Sequence, residues 1–427
     1  MKAQVHKVLF AVIIATLMPV CGCKQAARSL RVNHESSPVS GASLVPNAAR
    51  LSSGGLLVSW QRPLETGGYS FEMAIRDKGN WSDVRTVASG KNLSMFTADL
   101  PAVVQLPNGN LLAYWEVKEA TKEDPYATAI HTAVSNDEGR TWGASSTPYG
   151  ENLSGQHSFV SSFPEHDGIG LVWLDAAEQS KIRLASKAHK ADAGSMKMGS
   201  IGLRYAALNS SGEALRGSFV DPIACECCPT SATVSDRGPM VVYRGRREPD
   251  GTKPSEVDPD RPTVRDIYVS RLERDRWTKP RLVHADNWTI NACPDNGPSI
   301  DAHGNNVVVA WWTAPADQPK VQIAFSRDSG DSFSEPLRVD STRGEGQVTA
   351  VLLPDGKSAI VGWLEDGMTW ARLVRDTGET SAAVNLGSTP RHSRLPRWVV
   401  NQDGSVTAVW TRKYKGTTSI AVSRISF

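Results

Sequence analysis

One ruler recurs seven times along this chain. Leu100-Pro101 is followed by an apolar alternation, a glycine turn, a second apolar run and Trp115, fourteen residues after the proline. The same spacing links Pro46 to Trp60, Pro229 to Tyr243, Pro298 to Trp312 and Pro396 to Trp410. Phe159 to Trp173 and Thr349 to Trp363 fill the slots without the proline. Each copy reads as a β-hairpin: in Ala102–Trp115 two β-prone arms flank Asn108-Gly109, and similar turns sit at Ser53-Gly54, Asp355-Gly356 and Asp403-Gly404. A third alternating strand follows most hairpins (Val321–Ser326), then a short fourth (Pro336–Val339). Four strands per repeat at this period is the pattern of a propeller blade. A single blade cannot bury both faces, so neighbours must stack around an axis.

The expectation is an all-β chain forming a single β-propeller of four-stranded antiparallel blades. Seven blades fit the ruler; six with one irregular hairpin is the alternative. The seventh copy ends after the strand Thr418–Ile425, so its outer strand is missing. Residues 30–43 precede the first hairpin and could supply it, removing a sheet edge.

The turn between third and fourth strands carries a motif. Ser135-Asn-Asp137-Glu-Gly139-Arg-Thr-Trp142 fits S-x-D-x-G-x-T-W, and Ser326-Arg-Asp328-Ser-Gly330-Asp-Ser-Phe333 fits with Phe for Trp. Asp77-Lys-Gly79-Asn-Trp81 is a shortened version. The aspartate can accept main-chain N–H groups within the turn, glycine permits positive φ, and the aromatic packs beneath. These turns resemble the Asp-boxes of the sialidase-like (BNR-repeat) β-propeller superfamily, and the resemblance covers most of residues 40–427. It implies that the Asp-boxes are structural and lie opposite the face that holds the active site in that family.

In a propeller the inner strand starts at the channel mouth and the second strand returns there. The residues two before each ruler start are Leu44, Asp99, His157, Cys227, Asn296, Gln347 and Arg394; the second strands return with Glu116, Lys118, Asp175, Arg244, Arg246, Glu365, Asp366 and Arg412. For any one of them a solvated rim is the simplest reading, but propeller mouths are common ligand sites. The family's first carboxylate-binding arginine sits in an R-I-P motif. The corresponding run here is Asp99-Leu100-Pro101, with a carboxylate that would repel an acidic sugar; an R-L-P occurs at Arg394-Leu395-Pro396 in the last repeat. The family's Tyr–Glu pair and acid have no motif match. The resemblance therefore implies a glycan or other small ligand at the mouth, and argues against exo-sialidase activity. If the chain is a glycoside hydrolase, Asp99, Glu116 and Asp175, with Glu365, are the candidate carboxyl groups, and Arg244 or Arg394 the anion binder.

The most unusual stretch is Cys225-Glu226-Cys227-Cys228-Pro229, echoed by Cys293-Pro294-Asp295-Asn296. Both immediately precede inner strands, of the fourth and fifth repeats. Disulfides are one reading, with Cys228–Cys293 stapling two blades and Cys225–Cys227 or Cys227–Cys228 as strained alternatives. A metal or redox site is the other, with His157 and Asp295 beside the cysteines; thiolates with an imidazole suit copper, or less well zinc. The fold itself requires no cofactor. A third possibility is a non-catalytic interaction scaffold.

Lys2, Lys7 and the apolar run Val8–Leu17 read as a secretory signal, too short to span a bilayer, which needs about 20 apolar residues. Val20-Cys21-Gly22-Cys23 resembles a lipobox, with Cys23 as lipid acceptor and Lys24 after it favouring the outer membrane. The expected layout is a signal peptide over 1–23, a linker and closing segment over 24–40 and the propeller over 41–427. It implies an exported, periplasmic or outer-membrane protein that meets the membrane only through lipid. The net charge of +2, with both signs mixed, points away from nucleic acid. A monomer is expected.

Overall fold

A computed structural model describes residues 29–96, 101–149, 155–181, 201–249, 262–390, 396–414 and 416–427. The signal segment with Cys21 and Cys23 and the mouth residues Asp99 and Arg394 lie outside them. No helix among the described residues is long and apolar enough to cross a membrane.

The chain is a seven-bladed β-propeller. Each fourteen-residue ruler coincides with the inner and second strands of one blade, from Leu44–Arg50 with Leu56–Pro63 in blade one to Arg397–Val400 with Val406–Tyr414 in blade seven. Blade two departs from the four-stranded plan: three strands pair, and the fourth position is a single bridge between Thr132 and Ser146. The outer strand of blade seven is Arg31–Glu35, antiparallel to Thr417–Ser426, so the two ends of the chain close the ring in one sheet.

Seven substantial hydrophobic clusters lie between blades, one at each interface, including blade seven against blade one. The ruler's aromatic explains the arrangement. Trp60, Trp115, Trp173, Tyr243, Trp363 and Trp410 are all buried, and each packs its ring against the preceding blade. A buried ring of this size removes about 150–250 Å² from water, roughly 4–6 kcal/mol at the usual area coefficient. Several indoles also find a carboxylate, as in Trp60 Nε1 donating to Glu72 at 3.0 Å and Trp363 Nε1 to Glu365 at 2.8 Å. In blade five the ruler pointed to Trp312, but the interface residue is Trp311, 1% exposed and donating to Asp286 at 2.7 Å. The His303–Asn306 hairpin pairs Ser299 with Ala310, and in that register Trp311 rather than Trp312 faces blade four. Neighbours in a strand face opposite ways, so Trp312 points towards blade six.

The two full Asp-boxes share one geometry. Ser135 Oγ donates to Asp137 at 2.8 Å and accepts the Gly139 N–H at 2.8 Å, while Asp137 accepts the Thr141 N–H at 2.9 Å and its hydroxyl at 2.7 Å. Ser326, Asp328, Gly330 and Ser332 repeat it within 0.1 Å. The Thr141 hydroxyl and N–H, with Ser135, draw the exposed Asp137 carboxyl down to about 2. Gly139 adopts φ +87°, and a Cβ there would lie 2.7 Å from Met73 Sδ. Trp142 and Phe333 pack partly buried against the blade one–two and four–five clusters. The boxes sit at the end of the propeller opposite the strand starts that form the mouth.

Candidate functional site

The mouth is built differently from its expected lining. His157, Asn296 and Gln347 are 0%, 6% and 6% exposed. For His157 and Gln347 the cause is a bulge at the start of the inner strand, shared with blade one: register shifts follow Leu44, Ser158 and Gly346, and Val45, Phe159 and Gln347 take φ of +46°, +59° and +53°. Bulges at sheet rims re-aim side chains. Here they turn the polar groups into the wall. Gly346, at φ +90°, shows how tight that wall is, because a Cβ would lie 2.1 Å from Asn296 Oδ1.

The candidate carboxylates are likewise engaged. Asp175 is buried and accepts the Ala177 N–H at 3.0 Å, and stands 3.4 Å from His157 Nδ1 and 3.2 Å from Arg204 Nε. Burial raises its pKa, but His157 and Arg204 outweigh that and hold it below the usual range. His157 also stacks on Tyr149, with ring centres 4.5 Å apart. Glu365 receives Trp363 Nε1 and the N–H groups of Thr342 at 2.8 Å and Arg343 at 3.0 Å, pinning the loop before blade six. Burial opposes ionisation there, but these donors bring the carboxyl down to about 2. A depressed folded pKa contributes stability above the unfolded value and loses it as pH falls. Glu365→Gln should therefore narrow the stability gap between pH 6 and pH 3, by on the order of 1 kcal/mol after solvent screening, in denaturant melts at the two pH values. Glu116 is nearly buried, beside a small void lined by Ser94, Phe96, Tyr114 and Val160.

Arg244 is 1% exposed. Its Nε donates to Asn296 O at 2.9 Å and Nη2 to Trp312 O at 2.7 Å, Nη1 reaches Arg265 O, and its carbon lies 5.1 Å from the Trp288 ring centre. All three guanidinium nitrogens thus join main-chain carbonyls of blades four and five.

A cavity of about 380 Å³ opens on the mouth face, across the ends of blades two to five. Its wall comprises Tyr126, Gln156, Gln179, Ile201, Glu226, Arg246, Arg265, Asn291, Ala292 and Cys293. Glu226 is the carboxylate among them; Arg265 Nη1 stands 3.1 Å and Arg246 Nη1 3.3 Å from its oxygens. Burial raises the Glu226 pKa, but the two arginines outweigh this and keep it below the usual range. A two-stranded ribbon, Thr263–Val264 with Thr289–Ile290, lies over blade four and places both Arg265 and the Asn291–Cys293 rim. A larger groove of about 780 Å³ lies at the opposite end. Some of its charges pair, as in Arg216 with Glu165 and Asp275, and its carboxylates Glu165, Asp236, Glu273 and Asp275 outnumber its arginines, the reverse of the mouth cavity.

The four cysteines meet at the rim of the mouth cavity. Cys227 and Cys293 form a disulfide with Cα atoms 6.1 Å apart. It staples blades four and five, as the expected Cys228–Cys293 bond would have, but through the neighbouring cysteine. Cys225 and Cys228 are buried free thiols with sulfurs 3.2 Å apart, and Cys225 Sγ is 3.9 Å from Cys227 Sγ. Arg265 Nη1 donates to Cys225 Sγ at 3.0 Å. Burial raises the Cys225 pKa, but hydrogen bonding from Cys228 and the Arg265 charge bring it down to about 7; burial and the Cys225 charge push Cys228 up. The close sulfur group among the described residues is Cys225, Cys227 and Cys228. His157 stands with Asp175 rather than in that group.

Sequence reasoning missed Arg265, Tyr126, Gln156 and Gln179, which come from loops without a motif. It also passed over the C-x-x-C spacing of Cys225 and Cys228, masked by Cys227 between them.

No protein-family model and no curated protein matches the chain. Among solved structures, a protein of unknown function from Dyadobacter fermentans aligns with TM-score 0.45 and 13% identity, over 94% of this chain and 98% of that one. An α-L-arabinanase from Penicillium chrysogenum, complexed with arabinobiose, gives 0.46 and 12%, over 93% and 98%. A K499G mutant of the NanB sialidase from Streptococcus pneumoniae gives 0.43 and 11%, over 91% and 68%. The chain is a seven-bladed β-propeller with two turns of Asp-box geometry. Similarity at these scores says nothing of its chemistry, which rests on the mouth's own residues.

Proposed function

We propose that the protein binds a polar carbohydrate, with a preference for an acidic sugar, in the mouth cavity and does not hydrolyse it. The observation that carries this reading is the cavity's lining. Two arginines against one carboxylate leave net positive charge, three amide side chains offer donors and acceptors, and Tyr126, 69% exposed, offers a flat ring for a sugar face. Hydrolysis of a glycoside needs a carboxylic acid that keeps its proton near neutral pH, together with a second carboxyl group. Glu226 is held ionised, and so are Asp175 and Glu365, which are bound into the wall, so none of these three keeps the proton that an acid needs.

The test is calorimetric titration with a panel of neutral and uronic- or sialic-acid-containing oligosaccharides, with product analysis alongside. Binding to acidic members without turnover is expected, and Arg246→Ala should weaken it at least about tenfold, a loss of roughly 1.4 kcal/mol. Absence of binding across the panel, or turnover of any member, contradicts the proposal.

A further inference from the structure

The cysteine cluster holds two redox pairs in two environments. The Cys227–Cys293 disulfide faces the cavity, with Cys293 exposed on its rim and Cys227 half-buried. Behind it the Cys225 and Cys228 thiols are both 1% exposed. A staple needs two cysteines, and this one does not account for the other pair. The two pairs are in reach of each other: Cys225 Sγ is 3.9 Å from Cys227 Sγ and 3.2 Å from Cys228 Sγ. A sulfur at contact distance from a disulfide sulfur is placed for thiol–disulfide exchange, which proceeds by thiolate attack through a mixed disulfide.

We propose that the four cysteines form a dithiol–disulfide relay, in which buried Cys225 and Cys228 store an electron pair and Cys227–Cys293 is the port that passes it to disulfide substrates in the mouth cavity. The steps balance internally until the substrate arrives. Cys225, as thiolate, attacks Cys227 Sγ; the Cys225–Cys227 bond forms, the Cys227–Cys293 bond breaks, and Cys293 leaves as a thiolate on the rim. Cys293 attacks an external disulfide, forming a mixed disulfide and releasing the first substrate thiolate, which takes a proton from water. Cys228 gives up its proton to water and attacks Cys225 Sγ, forming Cys225–Cys228 and releasing Cys227. Cys227 then attacks the mixed disulfide at Cys293, restoring the staple and releasing the second substrate thiolate. Two electrons have passed from the Cys225/Cys228 pair to the substrate, and the protein ends with two disulfides. This relay is independent of the carbohydrate reading, although the two share a cavity.

The probe is oxidised glutathione added to the full chain, with each cysteine followed by quenching, alkylation and peptide mass spectrometry. In the native sequence the account predicts loss of the Cys225 and Cys228 thiols, retention of Cys227–Cys293, and a transient glutathione adduct on Cys293. Cys228→Ser should stop the relay at Cys225–Cys227, so the Cys293 adduct accumulates at least about tenfold over the native level. Cys225→Ser should form no adduct. Unchanged Cys225 and Cys228 thiols in the native chain, an adduct on Cys225 or Cys228 instead of Cys293, or a Cys228→Ser protein without the Cys293 adduct each overturn the relay. So does stoichiometric copper at Cys225 and Cys228 in protein purified without chelator. Circular dichroism of each variant, matched to the native spectrum, confirms that a missing adduct reflects chemistry rather than unfolding.

Discussion

Arg244→Met should cost about 4 kcal/mol of folding stability. Removing the Arg244 guanidinium strands the carbonyls of Asn296, Arg265 and Trp312, two of them in blade five, and each buried unpaired acceptor costs about 1–3 kcal/mol. The methionine refills part of the volume against Trp288, so the loss is mainly polar. Lysine should not rescue, because one ammonium cannot reproduce a planar fork aimed at three acceptors. In thermal melts the shift should be of the order of 5–10 °C. An Arg244→Met protein as stable as the native chain would mean that the carbonyls find other partners, and that the blade four–five joint is not built around this side chain.

Losing the staple should have a comparable effect. Cys227 and Cys293 are 66 residues apart in sequence. A cross-link over a loop of that length restricts the unfolded chain by about 4 kcal/mol in the loop-entropy account, with native strain able to reduce the gain. The Cys227→Ser/Cys293→Ser double variant should therefore melt well below the native protein. It should also bind carbohydrate less well, because Asn291, Ala292 and Cys293 form one side of the cavity. Equal stability of the oxidised native protein and the double variant, measured under one set of conditions, would contradict the staple's structural role.

Much of the fold is legible from residue pattern because a propeller repeats its physics. Each inner hairpin must alternate, turn on glycine or a short polar pair, and deliver one large ring to the preceding blade. Seven such segments mark seven interfaces. The slip at Trp312 shows the limit of spacing: two tryptophans stand side by side, and the pairing register of the hairpin decides which one faces the neighbour. The mouth is less legible. Whether His157 or Gln347 points into solvent depends on a bulge and a positive φ at Phe159 or at Gln347 itself, and neither residue type announces that backbone. Arg244 and Arg246 look equivalent in sequence; one is locked on carbonyls and the other lines the cavity. The cysteines were conspicuous, yet their pairing depends on which sulfur at the end of blade four faces blade five, a matter of side-chain direction that spacing does not encode.

The mouth face is organised around an exposed Cys227–Cys293 bond over a buried Cys225/Cys228 thiol pair. Peptide mapping of the freshly purified, non-reduced protein, alkylated under denaturing conditions, tests it most directly. The expected result is one cross-linked peptide pair joining Cys227 to Cys293, with Cys225 and Cys228 both alkylated. A cross-link from Cys293 to Cys225 or Cys228, or no cross-link to Cys293 at all, would contradict it.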